Sequence, residues 1–391
     1  MIADLHAHYP MHLVPGARGN AFDLLATAHG RDRLRDRLRA RLVGLAGRFA
    51  NYRSFDSGPR VTLSSLQDGG VGVALSVLYC FFDELDLEAP YGAPPAAAYL
   101  PRLLRQLDMV EADLAERHHG KARVVSDVAG LDAALAAGQV AFVHCVEGGF
   151  HLGSSPAEID RAVTELARRG VAYITLPHLL WRGVATNAPA LPFLPDSVYR
   201  LLFPQPKQGL SELGRAAVTA MARERVLVDL SHMTELALRD TFELLDEVDP
   251  GQTVPVVASH AGYRFGRQRY MLDERSVERI AERDGVVGLI FAQHQLTDGV
   301  RMRHTRTFEE SFEVIERHVE RLREITGSHR HTAIGSDFDG FIKPTLGGLE
   351  SMADMAAVER ALVVRYGDDD AAAICSGNAL RLLRTLWRAP G

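Results

Sequence analysis

Cysteine is scarce in this chain. Cys80, Cys145 and Cys375 are the only three, they lie far apart, and none belongs to a CxxC pair. That excludes a disulfide scaffold and a cysteine-based zinc knot, and it fits buried thiols in a reducing cytoplasm. Lysine is equally rare, at Lys121, Lys207 and Lys343. No apolar run approaches 20 residues, and no basic leader precedes an apolar segment, so neither a membrane span nor a signal peptide is expected. Excess positive charge is also missing. The formal net charge is −6, which argues against bulk nucleic-acid binding. The one strongly basic stretch, "GRDRLRDRLRARLVGLAGR" (30–48), carries Leu and Val at helical spacing with Asp interspersed. It reads as a solvated amphipathic helix. No break in composition and no short-period repeat divides the chain, so one domain over 1–391 is expected.

What is present is a series of short, β-branched apolar runs. They are "IADLHAH" (2–8), "VGVALSVLYC" (71–80), "QVAFVHCVEG" (139–148), "VAYITLPH" (171–178), "RVLVDLSH" (225–232), "VPVVASHA" (254–261), "GVVGLIFA" (285–292) and "HTAIGSDFDG" (331–340). Segments of helical periodicity lie between them, such as 155–170, with an N-cap at Ser155 and a stop at Gly170, then 209–224 and 306–327. Near-continuous apolar strands alternating with helices predict a parallel sheet covered by helices. Eight such strands close a (β/α)8 TIM barrel, an α/β fold of typically about 250 residues. The surplus length is assigned to long βα loops at 9–60, 81–100 and 187–209.

The chemistry lies where these runs end. His6 and His8 are two apart in a strand and project together, with Asp4 expected on the same face. The third run ends in Glu147, the fourth in His178, the fifth in His232, the sixth in His260 and the eighth in Asp337. In a barrel these C-terminal ends converge on one rim. Any one of these residues alone is more often a hydrogen-bonded structural residue. Seven such groups sharing one mouth point to a metal centre. Imidazole and carboxylate ligands without thiolate suit zinc or a similar first-row ion rather than calcium. One catalytic zinc needs about three protein ligands, so the set suffices for two ions bridged by a carboxylate. Glu147 is the natural bridge. A carboxylated lysine is the usual alternative, but no lysine ends a predicted barrel strand.

The motifs "VEGG" (146–149), "TLPH" (175–178), "GLSELGRAAV" (209–218), "VDLSHM" (228–233), "SHAGYR" (259–264), "RYMLDE" (269–274), "IGSDFDG" (334–340) and "SGNALRLL" (376–383) run in one order along the chain. Together they resemble the membrane (renal) dipeptidase family, peptidase family M19, within the amidohydrolase-type barrels. The resemblance implies one zinc held by His6, His8 and Glu147, and a second by Glu147, His232 and His260. It implies hydrolysis of a small dipeptide by a hydroxide between the ions, with a D-residue tolerated at the C-terminal position. Asp337 would transfer the proton, His178 would stabilise the tetrahedral oxyanion and bind substrate, and Arg269 would engage the substrate carboxylate. A surface salt bridge is the plainer role for Arg269, with Arg264 and Arg267 close by. A homodimer in the cytoplasm is implied as well, with no membrane or nucleic-acid partner.

Two positions depart from the family pattern. His-x-Asp is usual at the first motif, whereas this chain has His6-Ala7-His8. A neutral ligand there raises the net charge of the site and makes a bound water more acidic, weakens that metal, or both. Ala292 stands where dipeptidases of the family often carry a tyrosine near the substrate; His294 could compensate for it, although a surface-loop histidine is the plainer reading. Other activities of the superfamily therefore stay open: an N-acyl amino acid amidohydrolase, a lactonase, or a mononuclear-zinc deaminase in which Glu235 handles protons. From a different class, a non-catalytic metal-binding barrel is the remaining alternative.

Overall fold

A computed structural model describes residues 1–13, 59–84, 91–191, 196–300, 304–340, 342 and 344–387. Its strands are β1 (Ile2–Ala7), β2 (Val71–Leu78), β3 (Ala122–Val124), β4 (Val140–Glu147), β5 (Tyr173–Thr175), β6 (Leu227–Asp229), β7 (Val257–Ala261), β8 (Val286–Leu289) and β9 (Thr332–Ile334). All pairings between them are parallel. The order runs β2-β1-β9-β8-β7-β6-β5-β4, and β4 pairs back with β2 to close an eight-stranded barrel. Every expected strand is found within its expected run. The addition is β3, which pairs with β4 only from Ala122↔Val140 to Val124↔Phe142 and is too short to show a period.

Alternate residues of the strands, among them Leu5, Val73, Leu75, Val143, Cys145, Tyr173 and Leu227, form one buried cluster. Leu382, Leu383 and Leu386 of the C-terminal helix Asn378–Leu386 join it. The opposite strand faces pack against the surrounding helices in a second, larger cluster. Those helices start where local chemistry dictates. Ser155, Ser211 and Thr307 each accept a backbone N–H of the first turn and open helices Pro156–Arg168, Glu212–Glu224 and Phe308–Thr326, a contribution of about 1 kcal/mol per cap. Helix Phe308–Thr326 ends on Gly327 at φ 77°, a left-handed stop that glycine adopts without steric cost.

The amphipathic segment 30–48 lies outside the described residues, as does most of the 9–60 loop. The 81–100 segment holds the short helix Phe81–Glu84 and the start of Tyr99–Arg117, and the 187–209 loop holds helix Asp196–Leu202.

Against β2, β1 shifts register between Asp4 and Ala7, and Asp4 is buried there in a structural role. Its Oδ1 accepts the backbone N–H of His6 at 2.9 Å and of Ser336 at 3.0 Å, tying β1 to the segment after β9.

Candidate metal centre

Glu147 closes β4 and is buried, and neither carboxylate oxygen has a hydrogen-bond partner among the described residues. The sharp turn that follows depends on Gly148, at φ 99°, where an added Cβ would fall 2.2 Å from the Phe150 ring. Around Glu147 the strand ends deliver imidazoles. Oε1 lies 3.4 Å from Nε2 of His6, His232 and His260. Oε2 lies 3.4 Å from Nε2 of His178 and 3.6 Å from Nε2 of His8. Asp337 Oδ1 sits 3.0 Å from His8 Nε2 and 3.7 Å from His6 Nε2. The structure thus brings His6, His8, Glu147, His178, His232, His260 and Asp337 to one rim.

Two of these residues are held in backbone conformations that L-residues rarely adopt: His232 at φ 65° and Asp337 at φ 59°. Such strain persists only where the surroundings enforce it. Here Ala188 N–H donates to His232 O at 2.7 Å, and Asp337 N–H donates to His6 O at 2.9 Å.

The outward-facing Nδ1 atoms of His6 and His260 are held in turn. His6 Nδ1 meets Tyr173 Oη at 2.8 Å and Ser259 Oγ at 3.0 Å, and His260 Nδ1 meets the same Ser259 Oγ at 2.8 Å. Asp229 accepts from Ser259 Oγ at 2.7 Å and from Thr175 Oγ1 at 2.5 Å. Anchoring of this kind turns the Nε2 of His6 and of His260 inward and sets their tautomers, as metal-ligating histidines require; the Nδ1 atoms of His8 and His232 have no hydrogen-bond partner among the described residues. Gly335 permits the close packing beneath: a Cβ there would lie 1.7 Å from Ser259 O.

Electrostatics separates the histidines. Burial alone would lower the pKa of His178, but Glu147 and Glu84 outweigh it and push the imidazole up to about 9. His6 is also pushed up, against burial, chiefly by Glu147. Burial, reinforced by neighbouring imidazoles, lowers His232, and His260 further. Burial would raise Glu147, yet His178 and His6 hold it well below the usual carboxylate range.

A buried carboxylate with no hydrogen bond, faced by several inward-turned imidazole nitrogens, is costly unless a cation completes it. His232 and His260 bring their Nε2 atoms to 2.9 Å, and His6 and His8 to 3.2 Å. The donor set of imidazole and carboxylate suits a first-row divalent ion. The residues fit a metal. The groupings His6–Glu147–His260, His6–His8–Asp337 and Glu147–His178–His232 each bring ligand atoms within 4.8 Å of one another.

A small cavity fronts this cluster, lined by His8, His178, His232, Asp337, Tyr270 and further apolar residues. His294 and Gln295 line it as well. The surface-loop expectation for His294 therefore fails, because the helix Gln293–Leu296 that follows β8 turns the residue inward. Arg269 is exposed, beside the cavity-lining Tyr270, and does not line the cavity itself. Glu235, weighed as a deaminase proton carrier, is exposed at the start of helix Glu235–Val248 and pairs with Arg264 at 2.6 Å.

Sequence reasoning missed Glu84. Its Oε2 lies 2.7 Å from His178 Nδ1 and receives Tyr79 Oη at 2.5 Å, while Oε1 accepts Leu180 N–H at 2.7 Å. The second apolar run ends at Cys80, and Glu84 lies four residues further on in the short helix Phe81–Glu84, so a rule confined to strand ends passes it over.

The model of the membrane dipeptidase family, peptidase family M19, matches residues 37–389, which leaves His6 and His8 outside the match. An uncharacterized protein of Klebsiella pneumoniae is 29% identical over 191 residues, covering 47% of this chain and 64% of that protein. The matches span less than two thirds of the length of these curated relatives. A solved dipeptidase AC of metallopeptidase family M19 superimposes with a TM-score of 0.70 at 22% identity, covering 99% of both chains. A metallopeptidase from Rhodobacter sphaeroides, solved with a phosphinate mimic of the dipeptide L-Ala-D-Ala, superimposes with a TM-score of 0.68 at 22% identity, again over 99% of both chains. At this identity the solved structures establish a shared fold. No described helix is long and apolar enough to cross a membrane.

Proposed function

The chain belongs to the membrane dipeptidase family, peptidase family M19, and we propose that it is a zinc-dependent dipeptidase with two ions per chain bridged by Glu147. The observation that carries this reading is the buried Glu147 carboxylate, without a hydrogen-bond partner among the described residues and with imidazole nitrogens at 3.4 to 3.6 Å. His6, His8 and Glu147 would hold one ion, and Glu147, His232 and His260 the other. When bound, the ions supply Lewis acidity toward the scissile carbonyl and toward a water.

The protein's own groups do the rest. Asp337 lines the cavity beside His8, where it takes a proton from the attacking water and passes it to the leaving amine. His178, whose imidazole Glu147 and Glu84 push up to about 9 against burial, would donate from Nε2 to the tetrahedral oxyanion. His232 and His260, held neutral by burial and neighbouring imidazoles, are in the state that ligation requires. Arg269 would meet the substrate carboxylate from the rim.

The substrate is a dipeptide with a free C-terminal carboxylate, and a D-residue there is favoured by the ligand of the Rhodobacter protein. A homodimer in the cytoplasm completes the proposal. The test is an activity screen over L,L- and L,D-dipeptides with zinc content measured on the same sample. Cleavage of dipeptides supports the reading. Cleavage confined to N-acyl amino acids, lactones or aminopurines contradicts it.

A further inference from the structure

His294 and Gln295 project into the cavity from the short helix Gln293–Leu296. The mount is firm. Gln293 Nε2 donates to Thr305 O at 3.0 Å and Thr345 O at 3.1 Å, and Gln268 Nε2 donates to His294 O at 2.8 Å. Yet both ring nitrogens of His294 and the Oε1 of Gln295 are buried with no hydrogen-bond partner among the described residues. Native folds rarely leave such atoms unmet unless a ligand or water completes them.

The chemistry of the pair restricts that ligand. Burial pushes His294 down to about 4, so at neutral pH its ring is uncharged, with one donor and one acceptor nitrogen. Gln295 Oε1 adds an acceptor. The rest of this wall is apolar, from Leu179, Ala190, Ile290 and Ile342. Among the described lining residues no charged side chain faces the pair other than the centre's own histidines and Asp337. An apolar slot ending in uncharged donors and acceptors complements an uncharged hydrogen-bonding group rather than an ion.

We propose that His294 and Gln295 form a side-chain subsite that selects dipeptides bearing a hydroxyl or carboxamide on one residue. The inference rests on the dipeptidase reading for the identity of the ligand. A site built to hydrogen-bond a substrate group discriminates strongly against the analogue lacking it, whose binding leaves the buried atoms unpaired.

The test compares near-isosteric pairs, Thr against Val and Asn against Leu, at each position of a dipeptide on the metal-loaded protein. The polar member should be favoured at least about tenfold in kcat/KM at one position. The ratio should fall to within about twofold in His294→Phe and in Gln295→Met, with thermal melts confirming that both fold. A ratio of one or less in the unaltered protein, or a ratio untouched by both substitutions, overturns the proposal. If no dipeptide of any pair is cleaved, the dipeptidase reading fails, and the subsite is decided by calorimetric binding of the same pairs to Asp337→Asn. Tenfold tighter binding of the polar member upholds the subsite; equal or undetectable binding overturns it.

Discussion

The Nδ1 of His178 lies 2.7 Å from the Oε2 of Glu84, and both residues are buried. The carboxylate turns the ring so that Nε2 faces Glu147, and with Glu147 it keeps the imidazole charged against the effect of burial. Under the proposed function, Glu84 would thereby position the oxyanion-binding His178.

Glu84→Gln keeps the shape and removes the charge. Carboxylates that orient functional histidines contribute about 10–100-fold to metal affinity or activity, so kcat should fall by about that factor with KM little changed. Steady-state kinetics checks this. An unaltered kcat would show that His178 does not depend on Glu84.

Asp337→Asn should retain zinc, since His6, His8, Glu147, His232 and His260 all remain. Turnover should drop by about 10²–10⁴-fold, the range general acid–base groups supply. Metal analysis together with kinetics on the same preparation separates loss of the proton carrier from loss of the ions.

Stability should depend on pH through His318. Its Nδ1 accepts Tyr263 N–H at 3.1 Å, and its Nε2 donates to Leu296 O at 2.9 Å, a pattern only the neutral ring satisfies. Burial lowers its pKa from 6.5 to about 4. Below pH 6.5 the unfolded chain binds the proton that the folded one refuses, so this contribution is full above 6.5 and is lost as pH falls toward 4. By linkage the loss amounts to about 2 kcal/mol at pH 5. Urea unfolding at pH 7 and pH 5 should show the loss, and His318→Gln should flatten the dependence. An equal slope in the variant would contradict the assignment.

Gly335→Ala should destabilise the protein by about 1–3 kcal/mol or more, the usual range for overpacking. The added methyl collides with the Ser259 carbonyl, and the Ser259 hydroxyl anchors His6 and His260. Thermal unfolding checks the stability, and zinc affinity should fall with it.

Much of this was legible in the chain because two regularities carry it. Strands buried on both faces leave continuous apolar runs, and in a barrel the residue ending each run reaches the same rim. Those two facts alone bring His6, Glu147, His178, His232, His260 and Asp337 together. What escaped is what those regularities do not govern. A register shift in β1 lies between Asp4 and Ala7, where Asp4 Oδ1 ties His6 to Ser336, and a four-residue helix after β8 turns His294 inward. The Asp229–Ser259 hydrogen bonds that anchor the imidazoles join residues 30 apart. No local pattern announces such a pairing.

The central claim is that Glu147 is shared by two ions that hydrolysis requires. Zinc content measured on the purified protein and on Glu147→Gln, with dipeptide cleavage followed on the same samples, tests it most directly. The account predicts about two ions per chain, falling to one or fewer in the variant as cleavage is lost. A single ion in both proteins, with cleavage intact in the variant, would contradict it.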